Sequence, residues 1–489
     1  MNIVCVYSAD YFFASPSKPL FNAYEIPFGL ASIITVLEKS GHNVELFVFN
    51  PKSNLKVLEE YIKNKKPELA CFSSVFTQYH FIREIAGMVK LIDPTIRTVI
   101  GGTHATLNPE IVINEPCFDA VCVGEGENAM VKMAENLERG IWGDVNNIWF
   151  KGSIGEIQKN PQDEFIQDID NIPYINRKIW SKWILNYKDN VASILVGRGC
   201  AFRCSYCCNH SLAKVASGKY LRLRSVENVI GEIKSISNDF PNLKTIYFEI
   251  ETLSLHFDYM LELCDALKKL NEELEHPLAF GTNFTVTKNL MSRLDTAVEK
   301  LKEANFMFIN AGLESGSPEI RKTLRRPEYD NEDMVLFCNK LQERGIDVNL
   351  YVLIGLPDET PEHFEQTIEV TRKCLPRNIM MSIFFPYPGT DLYQYSKEKG
   401  YLQETEDFKK QTERLNVFLN SPHFSKNQII HEYRKFPSQI YKGIWPLPRI
   451  TLNTIDKTLF TNTALRPLYI AYLNKVSRLS AWFNNRKMG

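Results

Sequence analysis

Apolar residues recur along the first 135 or so positions as short runs separated by stretches of helical spacing. Residues 2–7, 44–48, 68–73, 98–101 and 120–123 read as strands, and residues 28–39, 55–65, 82–92 and 128–138 as the helices between them. Short buried strands alternating with amphipathic helices imply a parallel sheet covered on both faces. Ligands of such sheets bind at the carboxyl ends of the strands.

A polar stretch with four tryptophans, Trp142, Trp149, Trp180 and Trp183, then reads as a connector that packs on its neighbours. A second strand and helix series follows. Strands are predicted over 192–196, 244–250, 278–282, 307–313, 348–354 and 380–385, and helices over 226–236, 259–270, 292–304, 332–343 and 361–374. Six strands with five crossovers make three-quarters of a β/α barrel, which places its chemistry at the C-terminal strand ends. After about Tyr401 the alternation is lost. The expected units are an α/β domain over 1–136, a connector over 137–190, a partial barrel over 191–400 and a mainly helical extension over 401–489.

Composition adds little to this picture, with 44% hydrophobic and 24% charged residues excluding a disordered or fibrous chain. Charge adds more. From Asn420 onward 11 basic residues face only Glu432 and Asp456, so the tail carries +9 and the rest of the chain −10, inside a formal total of −1. No stretch approaches the roughly 18–20 apolar residues of a membrane-spanning helix, and residues 1–12 lack the basic start of a secretory signal. The expected location is the cytoplasm. In a reducing compartment the 11 cysteines read as core residues or metal ligands rather than as disulfides. Cys5, Cys71, Cys122, Cys264 and Cys338 lie in apolar runs and read as core.

Cys200, Cys204, Cys207 and Cys208 instead crowd into nine residues directly after the first barrel strand. Cys200, Cys204 and Cys207 make the spacing C-x3-C-x2-C. Three thiolates on one tight loop suit three irons of a cubane 4Fe–4S cluster, leaving the fourth iron open to a substrate or cofactor. Zinc prefers a fourth ligand at comparable spacing, and Cys208 or His210 would have to supply it. A non-catalytic iron–sulfur or zinc scaffold is therefore the alternative of a different class.

That spacing, the preceding Gly197-Arg198-Gly199 and the aromatic Tyr206 before the third cysteine resemble the signature of radical S-adenosylmethionine (SAM) enzymes. The resemblance implies Cys200, Cys204 and Cys207 as ligands of a 4Fe–4S cluster whose open iron is chelated by SAM, and the Tyr206 backbone beside the adenine. It implies cleavage of SAM to a 5′-deoxyadenosyl radical, with electrons from an external donor such as flavodoxin or ferredoxin. Ala311 to Ser317 resembles the family's ESGS segment, which places Glu314 and Ser315 near the SAM ribose and methionine. Leu353 to Thr360 resembles its GLPGET segment, which places Ile354 and Gly355 beside the adenine, with Asp358 standing where the family usually has Gly. Residues 385–390 resemble its P-x-PGT segment. Where relatives often show F-x-D-D, this chain has Phe248-Glu249-Ile250-Glu251, which makes Glu251 the candidate for the SAM ammonium and Glu249 its rival on the same strand face.

The first domain resembles the cobalamin-binding domain that precedes many radical SAM barrels. The matching words are Pro27-Phe28-Gly29-Leu30, residues 40–48, Phe72-Ser73-Ser74, Gly101-Gly102-Thr103-His104-Ala105 and Val123-Gly124-Glu125-Gly126-Glu127. Ser73, Gly101 and Gly102 are the candidate cobalamin contacts, since glycines at a strand end let a ligand approach the backbone. The D-x-H-x-x-G motif whose histidine ligates cobalt in other relatives is missing after the first strand, so cobalamin is expected to bind without it. His42 and His104 read as structural. The fold class expected is α/β: a Rossmann-like or flavodoxin-like parallel sheet, a partial (β/α)6 radical SAM barrel and a helical tail.

The resemblance implies a radical SAM enzyme that transfers a methyl group by way of cobalamin to an unactivated carbon of a natural-product, lipid or cofactor precursor. A cobalamin-independent radical SAM cyclase or oxidoreductase is the first alternative. In the tail, Leu468, Tyr472, Val476, Leu479 and Phe483 recur at helical steps beside Lys475, Arg478, Arg486 and Lys487. They read either as a helix closing the open barrel or as a basic helix resting on the inner face of a membrane beside a lipid-like substrate. Nucleic acid is not an expected partner, because no recognisable module accompanies the charge.

Overall fold

Strand β1 (Asn2–Ser8) is buried at nearly every position and lies between β2 (Asn43–Phe49) and β3 (Leu69–Ser73), followed by β4 (Arg97–Gly101) and β5 (Ala120–Cys122). All four pairings are parallel. In this computed structural model residues 1–9, 20, 23–49, 55–152, 154–184, 190–326, 329–402, 404, 408, 416–462, 464–469 and 471–473 are described. The order β2-β1-β3-β4-β5 is that of a flavodoxin-like sheet, whose reversal point falls between β1 and β3. Helices on both faces separate its core into two layers, one built on Ile34, Leu46 and Met130 and the other on Phe72, Ile85 and Phe118.

The stretch expected as a connector continues this sheet. Residues Ile148–Lys151 (β6) and Ile157–Lys159 (β7) add an antiparallel hairpin at the β5 edge. The four tryptophans serve the same unit: Trp142 packs on Phe150, Trp149 carries Lys159 over its ring, Trp180 meets Tyr7 edge-on and Trp183 meets Phe47.

The chain divides into two compact units, the first holding Met1–Asp189 and also Ser211–Arg222, the second holding Asn190–His210 and Leu223–Tyr472. The excursion Ser211–Arg222 is anchored inside the first unit. The two terminal Arg222 guanidinium nitrogens reach the Glu125 carboxylate at 2.9 Å, and Nη1 also donates to the Ile166 carbonyl at 2.8 Å. Glu125 belongs to the Val-Gly-Glu-Gly-Glu word read from sequence.

The second unit is a row of six parallel strands in chain order: β8 (Val191–Leu195), β9 (Thr245–Glu249), β10 (Ala279–Phe284), β11 (Phe306–Glu314), β12 (Asp347–Ile354) and β13 (Asn378–Ile383). Ile194, Phe248, Phe280, Ile309, Leu350 and Ile383 face the covering helices and share one core with Val229, Leu263, Val298, Phe337 and Phe364. The alternate positions line the concave face. Each predicted strand and helix of this series is present, with ends displaced by a few residues.

The tail contributes a helix over Lys426–Tyr441 that buries Ile429, Tyr433, Phe436 and Ile440 in this core, with Phe436 against Phe364, and a second helix over Leu447–Thr461. Closure is therefore on the helical layer, by residues earlier than the stripe read from sequence. Within that stripe Leu468 and Tyr472 are exposed, while Val476, Leu479 and Phe483 lie outside the described residues. Among the described residues no helix is long and apolar enough to cross a membrane.

Candidate radical SAM and cobalamin site

The cysteine loop leaves β8 through Gly199, whose φ of +86° is a turn that L side chains rarely adopt. Ser205 pins its middle, donating from Oγ to the Thr323 carbonyl at 2.8 Å and from N to the Leu324 carbonyl at 3.0 Å, and accepting from the Leu392 amide. Cys204 is buried, whereas Cys200 and Cys207 are half-buried. Burial pushes the Cys200 thiol up to about 11 and raises Cys204 against the pull of Arg326. The Cys207 thiol is raised first by its hydrogen bond with Cys208 and then by burial. Metal ligation requires thiolates, so these thiols fit an electron-deficient centre that displaces their protons. No three His, Cys, Asp or Glu side chains among the described residues converge as the ligands of one ion would, and thiolates that each hold a different iron of a cubane have no such need. His210 Nε2 lies 2.9 Å from Asp391 Oδ1, a contact that fixes the ring of one of the two candidate fourth zinc ligands.

A polar knot ties this loop to the end of β11. The Tyr206 hydroxyl donates to Glu314 Oε1 at 3.1 Å, and Arg326 places Nη1 3.4 Å from that hydroxyl and 3.9 Å from Cys204 Sγ. Arg326 Nη2 donates to the Gly312 carbonyl at 2.8 Å. Glu314 has a φ of +58°, a strained backbone for a side chain of this kind. Gly312 makes the knot possible, because a Cβ there would stand 2.9 Å from Arg326 Nη2 and closer still to the Glu314 carboxylate. Burial raises the Glu314 carboxyl. Arg326 was not singled out in the sequence, where it is one of two adjacent arginines after a short helix with no spacing signal.

The other predicted SAM contacts occupy different settings. Ser315 is fully buried, with Oγ 3.4 Å from Thr367 Oγ1. Ile354 buries its side chain in the core and its carbonyl accepts from the Phe384 amide. Gly355, with φ of +80°, donates from N to Glu359 Oε2 at 2.6 Å. Asp358 stands at φ +59°, where glycine is usual, and its carboxylate accepts from the Tyr395 and Tyr401 hydroxyls. Glu251, two residues beyond β9, is exposed, and its charge is among the causes that raise Cys200 and Cys207.

In the first unit the carboxyl ends of β1, β3 and β4 converge at the sheet's reversal point. Gly102, with φ of +90°, has no room for a side chain, since a Cβ would lie 2.7 Å from the Ser74 carbonyl and 2.8 Å from Ser73 Oγ. Internal packing by itself already requires glycine here, in addition to the ligand approach that the sequence suggested. Among the described residues, buried polar atoms without a partner gather at these strand ends: Ser8 Oγ, Ser74 Oγ, Tyr79 Oη and His104 Nε2. His104 is packed between Phe76 and Tyr79, and burial lowers its imidazole to about 4. Orphaned polar atoms at a switch point fit a large ligand rich in amides. Asp10 to Phe13, where the cobalt-ligating motif is missing, lie outside the described residues.

Comparison with known proteins agrees with both halves. The radical SAM superfamily profile matches residues 194–371, and the B12 binding domain profile matches residues 21–134. The chain belongs to the radical SAM superfamily and carries a B12-binding domain ahead of its barrel. It is a radical SAM enzyme whose cofactors are a 4Fe–4S cluster, SAM and cobalamin. It is similar to an uncharacterized methyltransferase of Pyrococcus horikoshii, 25% identical over 438 residues that cover 88% of this chain and 90% of the relative. It is equally similar, 25% over 393 residues, to the anaerobic magnesium-protoporphyrin IX monomethyl ester cyclase of Rubrivivax gelatinosus, covering 78% and 68%. In fold it resembles OxsB, a cobalamin-dependent SAM radical enzyme solved with aqua-cobalamin and SAM, with a TM-score of 0.69, 13% identity and coverage of 97% and 75%.

Proposed function

We propose that the protein transfers a methyl group from SAM, by way of cobalamin, to an unactivated carbon of a small or lipid-like natural-product or cofactor precursor. The observation that carries this reading is one chain holding both a three-cysteine loop on a SAM barrel and a B12-binding sheet with orphaned polar atoms at its switch point. When bound, the cluster and SAM supply a 5′-deoxyadenosyl radical and cobalamin supplies the methyl group. Cys200, Cys204 and Cys207 hold the cluster. Glu251 accepts hydrogen bonds from the SAM ammonium, Glu314 and Ser315 orient its ribose and methionine, and Tyr206, Ile354 and Gly355 border the adenine. Ser73, Gly101 and Gly102, joined by Ser8 and Ser74, receive cobalamin.

Protein purified with hydroxocobalamin is incubated anaerobically with reductant and methyl-deuterated SAM. The expected product is protein-bound cobalamin carrying a deuterated methyl group, seen by absorbance and mass. A protein that binds no cobalamin, or binds it and leaves it unmethylated, overturns methyl transfer and favours the ring-closing chemistry named for the Rubrivivax relative.

A flavodoxin or ferredoxin serves as electron donor in this reading. Exposed Leu447 and Leu452, on one helix with Arg449, and exposed Leu468 support contact of the tail with an anionic membrane face. Equal pelleting with anionic liposomes of full-length protein and of protein truncated at Asn420 counts against that contact.

A further inference from the structure

The concave face of the six-strand row is layered by height. Nearest the strand starts, Tyr247 and Phe308 stack at 5.9 Å and 13°. Gly281 gives that stack its room, since a Cβ there would stand inside the Phe308 ring contact. Above the aromatic pair, Asn283, Asn310, Asn349 and Asn378 occupy one register row across four neighbouring strands. Their amides are joined head to tail: Asn378 Nδ2 donates to Asn349 Oδ1 and Asn349 Nδ2 to Asn310 Oδ1, each at 2.9 Å, while Asn310 Nδ2 lies 3.2 Å from Asn283 Oδ1. Glu249 stands at the same level on β9, since its neighbour Phe248 is paired with Thr282, the neighbour of Asn283.

This wall has a definite chemistry. An amide has two N–H groups and two lone pairs on oxygen, so Asn349, which gives one N–H and accepts one bond within the row, keeps one of each for the lumen. Among the described residues nothing donates to the Glu249 carboxylate. Burial, and then the charge of Glu251, lift that carboxyl to about 7. The strand positions that face inward carry no Lys, Arg or His. A polar row in a barrel costs desolvation that an apolar row would not, and a ligand that hydrogen-bonds to it accounts for its presence.

We infer that the barrel wall formed by Glu249 and the Asn283–Asn310–Asn349–Asn378 row selects a substrate whose reacting part is a neutral or cationic hydrogen-bonding skeleton, bearing hydroxyl, amide or amine groups, and rejects phosphate esters and carboxylates there. Glu249 is a specificity-determining residue that meets the amine or the last hydroxyl, while Glu251 above it is left to SAM. A cation brought beside a carboxylate raised by burial gains the interaction that the carboxylate lacks. An anion in the same place meets two carboxylates, and the Arg326 guanidinium beside Gly312, two residues along β11 from Asn310, is already engaged by the Gly312 carbonyl and the Tyr206 hydroxyl.

The inference rests on the reading that the barrel houses the substrate beside SAM, and its test needs neither turnover nor cobalamin, so failure of methyl transfer and failure of this proposal are distinguishable. Anaerobically reconstituted full-length protein, saturated with S-adenosylhomocysteine, is titrated by saturation-transfer NMR with three probes of matched shape: cyclohexylmethylamine, cyclohexylmethanol and cyclohexanecarboxylate. The amine is expected to bind about fivefold or more tighter than the carboxylate, with the alcohol between them, a difference of roughly 1 kcal/mol. Glu249→Gln should bring the amine to within about twofold of the alcohol, and Asn349→Leu should weaken the alcohol about threefold, both with unchanged affinity for S-adenosylhomocysteine. A carboxylate that binds as tightly as the amine, or a Glu249→Gln protein that keeps the wild-type ratio, overturns the proposal.

Discussion

The Tyr206 hydroxyl donates to Glu314 across 3.1 Å, so the residue before the third cysteine is fastened to the last residue of β11. The cysteine loop and the strand end proposed to face SAM are thereby one mechanical piece. Arg326 completes it by reaching both the Tyr206 hydroxyl and the Gly312 carbonyl.

Gly312→Ala tests that piece. Its methyl group would meet Arg326 Nη2 at 2.9 Å and press on the Glu314 carboxylate, so one of them must move. Both atoms are the ends of flexible side chains, so the methyl group is accommodated by opening the knot rather than by moving the backbone. The variant is expected to retain iron after reconstitution but to release 5′-deoxyadenosine about tenfold more slowly or worse, measured by chromatography of the nucleoside.

Glu359 predicts a pH dependence of stability. It is fully buried, Oε2 accepts from the Gly355 and Leu356 amides, and Oε1 has no partner. Burial lifts its carboxyl from 4.5 to about 8, against the two amide donors. The folded state therefore holds this proton where the unfolded chain has lost it. The stabilisation is complete below about pH 4.5 and is lost as pH rises through 8. Glu359→Gln keeps the acceptor and removes the titration, so its Tm should fall less than that of the wild type between pH 5 and 8, by about 2–4 °C for each kcal/mol removed. Parallel Tm profiles for the two proteins would contradict the assignment.

The ion pair of Arg222 with Glu125 is expected to be strongly unequal to its parts. The two side chains are only 4% and 15% exposed. Removing one partner strands a charge and costs about 3–5 kcal/mol, whereas replacing both with apolar groups is often nearly neutral. Glu125→Leu alone should lower the Tm of the full-length protein clearly, and Glu125→Leu with Arg222→Met should recover much of the loss in differential scanning calorimetry. A double variant as unstable as the sum of the single ones would show that no coupling exists.

The barrel strands were legible because their alternate positions are so unlike: Phe248, Leu350 and Ile383 face helices while Tyr247, Asn349 and Ser382 face the lumen, and each crossover helix has an apolar stripe. The hairpin of β6 and β7 was not, because four residues with two buried positions and three with none carry no periodicity that stands out from a loop. The helix over Lys426–Tyr441 was hidden by Pro437, which normally ends a helix but is accommodated near the end of this one. At the site, motif spacing located the cysteines and the strand ends Glu314 and Gly355. It could not locate Arg326 or the orphaned hydroxyl of Ser8, because each role arises within its own unit, from strands and loops distant in sequence.

The stacked rings of Tyr247 and Phe308 give the asparagine row an aromatic floor. A flat apolar surface beneath a line of amides sorts the two sides of anything that rests there. The side that lies on the rings is apolar and shielded, and the side turned toward the carboxyl strand ends is the one left open to reaction. Which face of a substrate reacts then follows from which face the floor accepts, a stereochemical consequence of two aromatic residues that need touch no reacting atom.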